Sequence, residues 1–166
     1  MNGGQPILRW TGLISGLGQC RTTSGTMAGM GDAVSNYRAA SEANNIDALM
    51  DALAPQAELV SPISGRMVFR GKPDLRILLT AIYGSLRELD WREEIGDDTR
   101  RVLLGEGRVF GVTLYDAMVL DLRADGQIGR IRPHLRPWLA LTLLFIRLIP
   151  MIARHPGVVW RALRAA

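Results

Sequence analysis

NYRAASEANNIDALMDALAPQAELVSPIS, residues 36–64, reads as a helix, a shorter helix and a first strand with no spare residues between them. Asp32 stands where a cap would open the first helix; Val34, Tyr37 and Ser41 share a face of it, and Asn44-Asn45 interrupts it. Ile46, Leu49, Met50 and Leu53 then recur at i, i+3, i+4 and i+7, and the run ends before Pro55. The alternation in AELVSPIS predicts a strand with Ala57, Leu59, Ser61 and Ile63 on one face and Glu58 and Val60 on the other. Tyr37 and Ser61 thus lie on neighbouring elements that later strands can wrap into a conical cavity.

Downstream, 66–69 reads as a short second strand, and Gly71-Lys72-Pro73-Asp74 opens a helix, with Pro in the first turn and an acid that suits the dipole. Leu75, Leu78, Leu79, Ile82 and Leu86 form its inward stripe. Strand signals follow at 90–95 and 100–104, a Gly-Glu-Gly turn at 105–107, a long strand over 108–122, an Ala-Asp-Gly-Gln turn and a closing strand over 128–135. Helices first and a run of antiparallel strands afterwards predict an α+β domain, with the helices packed on one curved sheet.

A chain of 166 residues is long enough for one domain with its own core. Cys20 is the single cysteine, and the two histidines lie far apart, so no disulfide, metal site or other cofactor is expected. Residues 1–31, rich in Gly, Ser and Thr, read as a flexible tail; ILRWTGLISGLG is a faint match to a signal segment but is broken by Gly and Ser. Met27 and Met30 just before the first helix are alternative starts, and function is expected to survive loss of the tail.

The net charge of +4 hides an asymmetry: residues 126–166 hold seven Arg and no acid. Within them PWLALTLLFIRLIPMIA, residues 137–153, is nearly all apolar, and a second helical stretch restarts after Pro156. A membrane span needs about 20 apolar residues, and Arg147 and Pro150 interrupt this run. Three placements are open: the helix packs on the domain or a twin subunit, lies in a membrane interface with its arginines toward headgroups, or spans. The chain is accordingly expected to be cytoplasmic, or membrane-peripheral through 137–166. Nucleic acid is not an expected partner, because the basic residues lack interleaved aromatics and no helix-turn-helix or zinc spacing is present.

The order of these elements over residues 32–136, with the segments YRAASEANNIDALMDALAPQAELVSP and FRGKPDLRILLTAIYGSL and the closing LDLRADGQIGRI hairpin, resembles the nuclear transport factor 2-like superfamily, and within it the SnoaL-like and ketosteroid isomerase-like proteins. The resemblance implies a cone-shaped fold whose mouth admits a hydrophobic small molecule. Such proteins include isomerases, cyclases, hydrolases, dehydratases and noncatalytic dimerisation modules, so a homodimer is expected. It also implies where an isomerase would carry its groups: an oxyanion-hole Tyr at Tyr37, an Asp base at Ser61 and a protonated Asp at Met118. The last two are replaced by residues that cannot do this work.

One carboxylate is a candidate substitute. If 108–122 stays extended, Val112, Leu114, Asp116, Met118, Leu120 and Leu122 share a face, and Asp116 is the acid in that apolar stripe. Buried there it would have a raised pKa and could carry a proton; a turn near Tyr115 would instead put it on the rim. The predicted ligand-binding set is Tyr37, Leu59, Ser61, Tyr83, Trp91, Met118 and Leu135, with Tyr37, Tyr83 and Trp91 equally open as plain core residues. In the closing strand Ile131, Pro133 and Leu135 have the parity to face the cavity, which leaves Arg130, Arg132, His134 and Arg136 facing out. The expected function is binding of a hydrophobic small molecule, with isomerase or cyclase chemistry on a steroid-, polyketide- or lipid-like substrate, or else a noncatalytic dimer or membrane-associated scaffold.

Overall fold

The computed structural model describes residues 32–164; the expected N-terminal tail lies outside the described residues. In chain order the elements are α1 (Ala33–Glu42), α2 (Ile46–Asp51), β1 (Leu53–Val60), β2 (Val68–Arg70), α3 (Lys72–Ser85), β3 (Arg87–Gly96), β4 (Arg100–Val109), β5 (Val112–Leu122), β6 (Ile128–Arg132), β7 (Leu135–Arg136), α4 (Trp138–Ile152) and α5 (Pro156–Arg164). One sheet runs in the order β2-β1-β6-β5-β4-β3, with β7 paired to β5. All pairings are antiparallel except β1 with β6. The fold is the expected α+β architecture, helices on a curved sheet.

The opening stretch folds as its pattern dictates. Asn44 adopts φ 51°, which stops α1, and the Asn45 side chain accepts from the Ala48 N–H to start α2. Val34, Tyr37, Ala40 and Ser41 are buried on α1, and Leu49 and Met50 on α2. They meet Leu53, Ala57 and Leu59 of β1 and Leu75, Leu78 and Leu79 of α3 in the main core, whose far wall is Leu103, Met118, Leu120 and Ile131 of the sheet.

Several local expectations are corrected. Asp32 precedes α1 but makes no side-chain cap; its carboxylate accepts instead from Arg101 at 2.7 Å. Leu53 belongs to β1, not to α2, because the chain extends as soon as its side chain reaches the core. β1 ends at Val60, so Ile63 lies in a turn and is exposed. The closing strand breaks at Pro133-His134 into β6 and β7; Pro lacks the N–H a ladder needs.

The largest correction concerns Gly105 and Gly107. They do not form a turn: β4 runs straight through them, and the chain reverses at Phe110-Gly111, both with positive φ. What requires glycine at 105 is close approach. A Cβ there would stand 2.5 Å from the Asp90 carbonyl oxygen and 2.6 Å from the Trp91 ring. Gly105→Ala is therefore expected to force β3 and β4 apart and cost about 1–3 kcal/mol, the usual range for overpacking. A denaturant midpoint equal to that of the unsubstituted chain would refute this account.

The inner face of α4 packs on the body of the domain. Ala140, Leu144 and Leu148, spaced by four, are buried against Ala81 of α3, Val109 of β4 and Leu114 of β5. At the end of the chain Val158 and Ala162 of α5 enter the main core, and Arg161 grips Asp74 at the start of α3 with two hydrogen bonds of 2.9 and 2.5 Å. Neither helix is long and apolar enough to cross a membrane alone, and the two are bent by 116° at the elbow between them.

Candidate functional site

Between the sheet, α3 and α4 lies a cavity of about 350 Å³, within the range of small-molecule sites. Its walls are mostly aliphatic. β1 and the turn after it contribute Leu59 and Ser61, α3 contributes Leu79 and Tyr83, β5 contributes Leu114 and Met118, and α4 closes it with Leu144, Phe145 and Leu148. Six of the seven expected ligand-binding residues, Leu59, Ser61, Tyr83, Trp91, Met118 and Leu135, line it. The seventh, Tyr37, is corrected: it is fully buried and is not among the lining residues, but its hydroxyl bonds that of Tyr83, which is.

The few polar groups in the wall differ in what already occupies them. Ser61 accepts from the Ile63 N–H at 3.4 Å, which shapes the turn. Glu106 is held by Arg92 at 2.5 Å. Asp116 has no cationic partner among the described residues; it accepts one hydrogen bond, from the His134 backbone N–H at 3.1 Å. Burial pushes its carboxyl up to about 7, against the smaller lowering effect of that hydrogen bond. It lies inside β5 rather than in a turn, and it lines the cavity while half-buried.

The sheet register explains the burial. Trp91 of β3 pairs with Gly105, Gly105 with Asp116, and Asp116 with Leu135 of β7, so these positions form one row across the sheet. Gly105 has no side chain, and the Trp91 ring leans into the space its Cβ would take. Trp91 and Asp116 thus stand two strands apart on one row, with no side chain between them, and both line the cavity.

Tyr37 and Tyr83 complete the polar set. Their hydroxyls are 2.8 Å apart and their rings meet edge to face, with centroids 6.5 Å apart at 73°. Burial raises both above the ordinary phenol value, and the nearby Asp116 charge raises both further, so both stay protonated donors at neutral pH. When Tyr37 donates to Tyr83, the Tyr83 hydroxyl keeps its own proton, with the Ser41 hydroxyl as a further neighbour. Ser41 ties this pair to the row above, since its hydroxyl accepts from Trp91 Nε1–H at 2.9 Å and donates to the Arg38 carbonyl at 2.8 Å.

His134 is exposed, as its strand parity implies, and contributes its backbone rather than its ring. Sequence reasoning missed that N–H, the Glu106-Gly107 segment and the roof from α4 and α5. The spacing of Leu144, Leu148 and Ile152 was the available signal for the roof. Among the described residues no group of His, Cys, Asp and Glu is arranged to hold a metal ion.

No family model matches the chain, and no curated protein matches it. Solved structures do. An uncharacterised bacterial protein with a cystatin-like fold from Silicibacter pomeroyi superposes with a TM-score of 0.73 at 14% identity, covering 81% of this chain and 96% of its own. A steroid delta-isomerase from Pseudomonas aeruginosa gives 0.67 at 17% identity, with 75% and 92% covered. A putative polyketide cyclase from Sinorhizobium meliloti gives 0.54 at 20% identity, with 63% and 94% covered. At these identities the likeness is one of fold, the fold described as cystatin-like or nuclear transport factor 2-like in such structures.

Proposed function

We propose that this nuclear transport factor 2-like chain binds a hydrophobic small molecule of steroid, polyketide or other lipid-like type, and moves a proton on it as an isomerase or cyclase does. The observation that carries this reading is Asp116, a carboxylate without a cation in an aliphatic cavity, raised to about 7 and thus poised between acid and base at neutral pH. A ligand carbonyl hydrogen-bonded to the Tyr83 hydroxyl would gain acidity at its neighbouring carbon. Asp116 would take that proton, Tyr83 backed by Tyr37 would stabilise the enolate oxygen, and Asp116 would return the proton elsewhere on the conjugated system. Proton number is conserved, and no cofactor is required.

A second reading keeps the pocket and drops the chemistry. Ser61 and Met118 line the cavity where the isomerase resemblance calls for a base and a protonated acid, so a noncatalytic, dimeric carrier or scaffold is the alternative. Native mass spectrometry followed by denaturing extraction, then deuterium exchange at the α-carbon of the extracted or a related enone in D₂O, separates the two. A ligand at unit stoichiometry with exchange supports the enzyme, and a ligand without exchange supports the carrier. A chain that carries no ligand and takes up no steroid, polyketide-like or fatty ligand when offered one overturns the pocket reading.

Tyr83→Phe tests the donor. Loss of one hydrogen bond to a neutral ligand oxygen is expected to weaken binding by up to about tenfold, read by calorimetric titration. Unchanged affinity would mean that the ligand oxygen sits elsewhere.

A further inference from the structure

The outer face of α4 is as apolar as its inner one. Leu139, Thr142, Ile146, Ile149 and Ala153 follow one another at helical spacing on the side away from the core, and Ile146 and Ile149 are 56% and 61% exposed. A helix on the surface of a domain ordinarily turns charge to that side. Phe110, at the tip of the β4–β5 hairpin and 62% exposed, extends the patch, held there by the Arg147 guanidinium 5.2 Å from its ring centroid. Trp138 at the start of α4, and Trp160 and Leu163 on α5, are also exposed.

The charges beside this face are of one sign. α4, α5 and the elbow between them carry no acid, and Arg147, Arg154 and Arg164 have no carboxylate partner among the described residues. Arg161, by contrast, is neutralised by Asp74. A second copy of the chain would bring the same unpaired arginines against each other, whereas an anionic lipid surface would complement them. Tryptophans at the ends of the apolar stretch have the amphipathic form that settles at headgroup level.

The cavity reaches the same side. Of the residues that line it, only Ile149 and Ala153 are exposed, both at the C-terminal end of α4 beside the elbow. We propose that the outer face of α4, with Phe110 and the α5 tryptophan, docks on an anionic phospholipid bilayer, so that the end of the cavity at Ile149 and Ala153 faces lipid rather than water. The docking stands on the surface alone; the value of that orientation, entry of a poorly soluble ligand without crossing water, rests on the pocket reading above.

The test is cosedimentation of the full chain with vesicles of phosphatidylcholine alone and with roughly one-third phosphatidylglycerol, at low and high salt. Binding is expected to the anionic vesicles only and to fall as salt shortens the screening length. Leu139→Asp and Ile146→Asp, separately, are each expected to weaken binding about tenfold or more by opposing both burial and charge. Neither side chain lines the cavity, so extraction of a ligand from these variants reports on the pocket independently, and the two readings fail separately. No binding to anionic vesicles overturns the proposal. So does binding that both variants leave unchanged, which would move the contact to another face, or a lipid-free dimer that either variant dissolves, which would make the face a joint between copies.

Discussion

Asp116→Asn is expected to lower proton exchange on the bound ligand by about a hundredfold or more, the loss that follows removal of a general acid or base, while making the fold more stable at neutral pH. The two effects have one cause. Burial raises the Asp116 carboxyl from 3.8 to about 7, which means that the folded state disfavours the ionised form. The stability associated with the neutral carboxyl is fully present below the unfolded value near 4 and is lost as pH rises through about 7. Three pKa units correspond to an upper bound of roughly 4 kcal/mol. Asparagine keeps a carbonyl for the His134 N–H and has no charge to bury, so its stability should stay flat across that window. Exchange rates at saturating ligand, together with denaturant midpoints at pH 5 and pH 8, are the measurements. Equal rates would remove Asp116 from the chemistry. Parallel pH slopes would show that its carboxyl is solvated after all.

Trp91→Ala should carry the largest loss of stability. The side chain is 1% exposed, its ring lies over Gly105, and its Nε1–H donates to Ser41. Truncating such a residue costs about 3–5 kcal/mol through lost transfer energy and the cavity left behind. The backbone of Trp91 is separately anchored, since its N–H donates to Glu42 at 3.0 Å and its carbonyl accepts from Arg38, so β3 should hold its place while the space above Gly105 empties. Water admitted to that space would solvate Asp116, and the Asp116 pKa is expected to move down toward the ordinary carboxylate range. Carboxyl-carbon NMR titration of the variant reads this directly. An Asp116 pKa unchanged by the truncation would mean that another wall, such as Leu114 or Leu135, keeps the carboxyl dry. Trp91→Phe preserves most of the aromatic face and should leave the carboxyl raised, which separates loss of the ring from loss of the indole N–H.

These two results bear on how a pocket without the full isomerase set could act. Ser61 serves its own turn and Met118 offers no donor, so on the proposed reading the acid/base work would fall on one carboxylate two residues along β5 from Met118. The donor work would fall on Tyr83, with Tyr37 as its support.

Much of this was legible in the sequence. The α1-α2-β1 succession follows from apolar spacing and the Asn44-Asn45 break, and the burial of Leu59 and Ser61, the outward turn of His134 and the single acid in the β5 stripe follow from strand parity, because side-chain periods are local properties of the backbone. Three things were decided only by the tertiary structure. Gly105 reads locally as a turn, and only the approach of Trp91 from the neighbouring strand makes it a strand residue. Tyr37 and Tyr83 lie 46 residues apart, so no local pattern says that their hydroxyls meet or which of the two residues lines the cavity. The run from Trp138 to Ile152 is apolar apart from Thr142 and Arg147, so the four-residue spacing of Leu144, Leu148 and Ile152 is only a faint signal for the face that closes the pocket. That choice comes from the fit of Ala140, Leu144 and Leu148 into the gap between α3 and the sheet, and it leaves a largely apolar face outside.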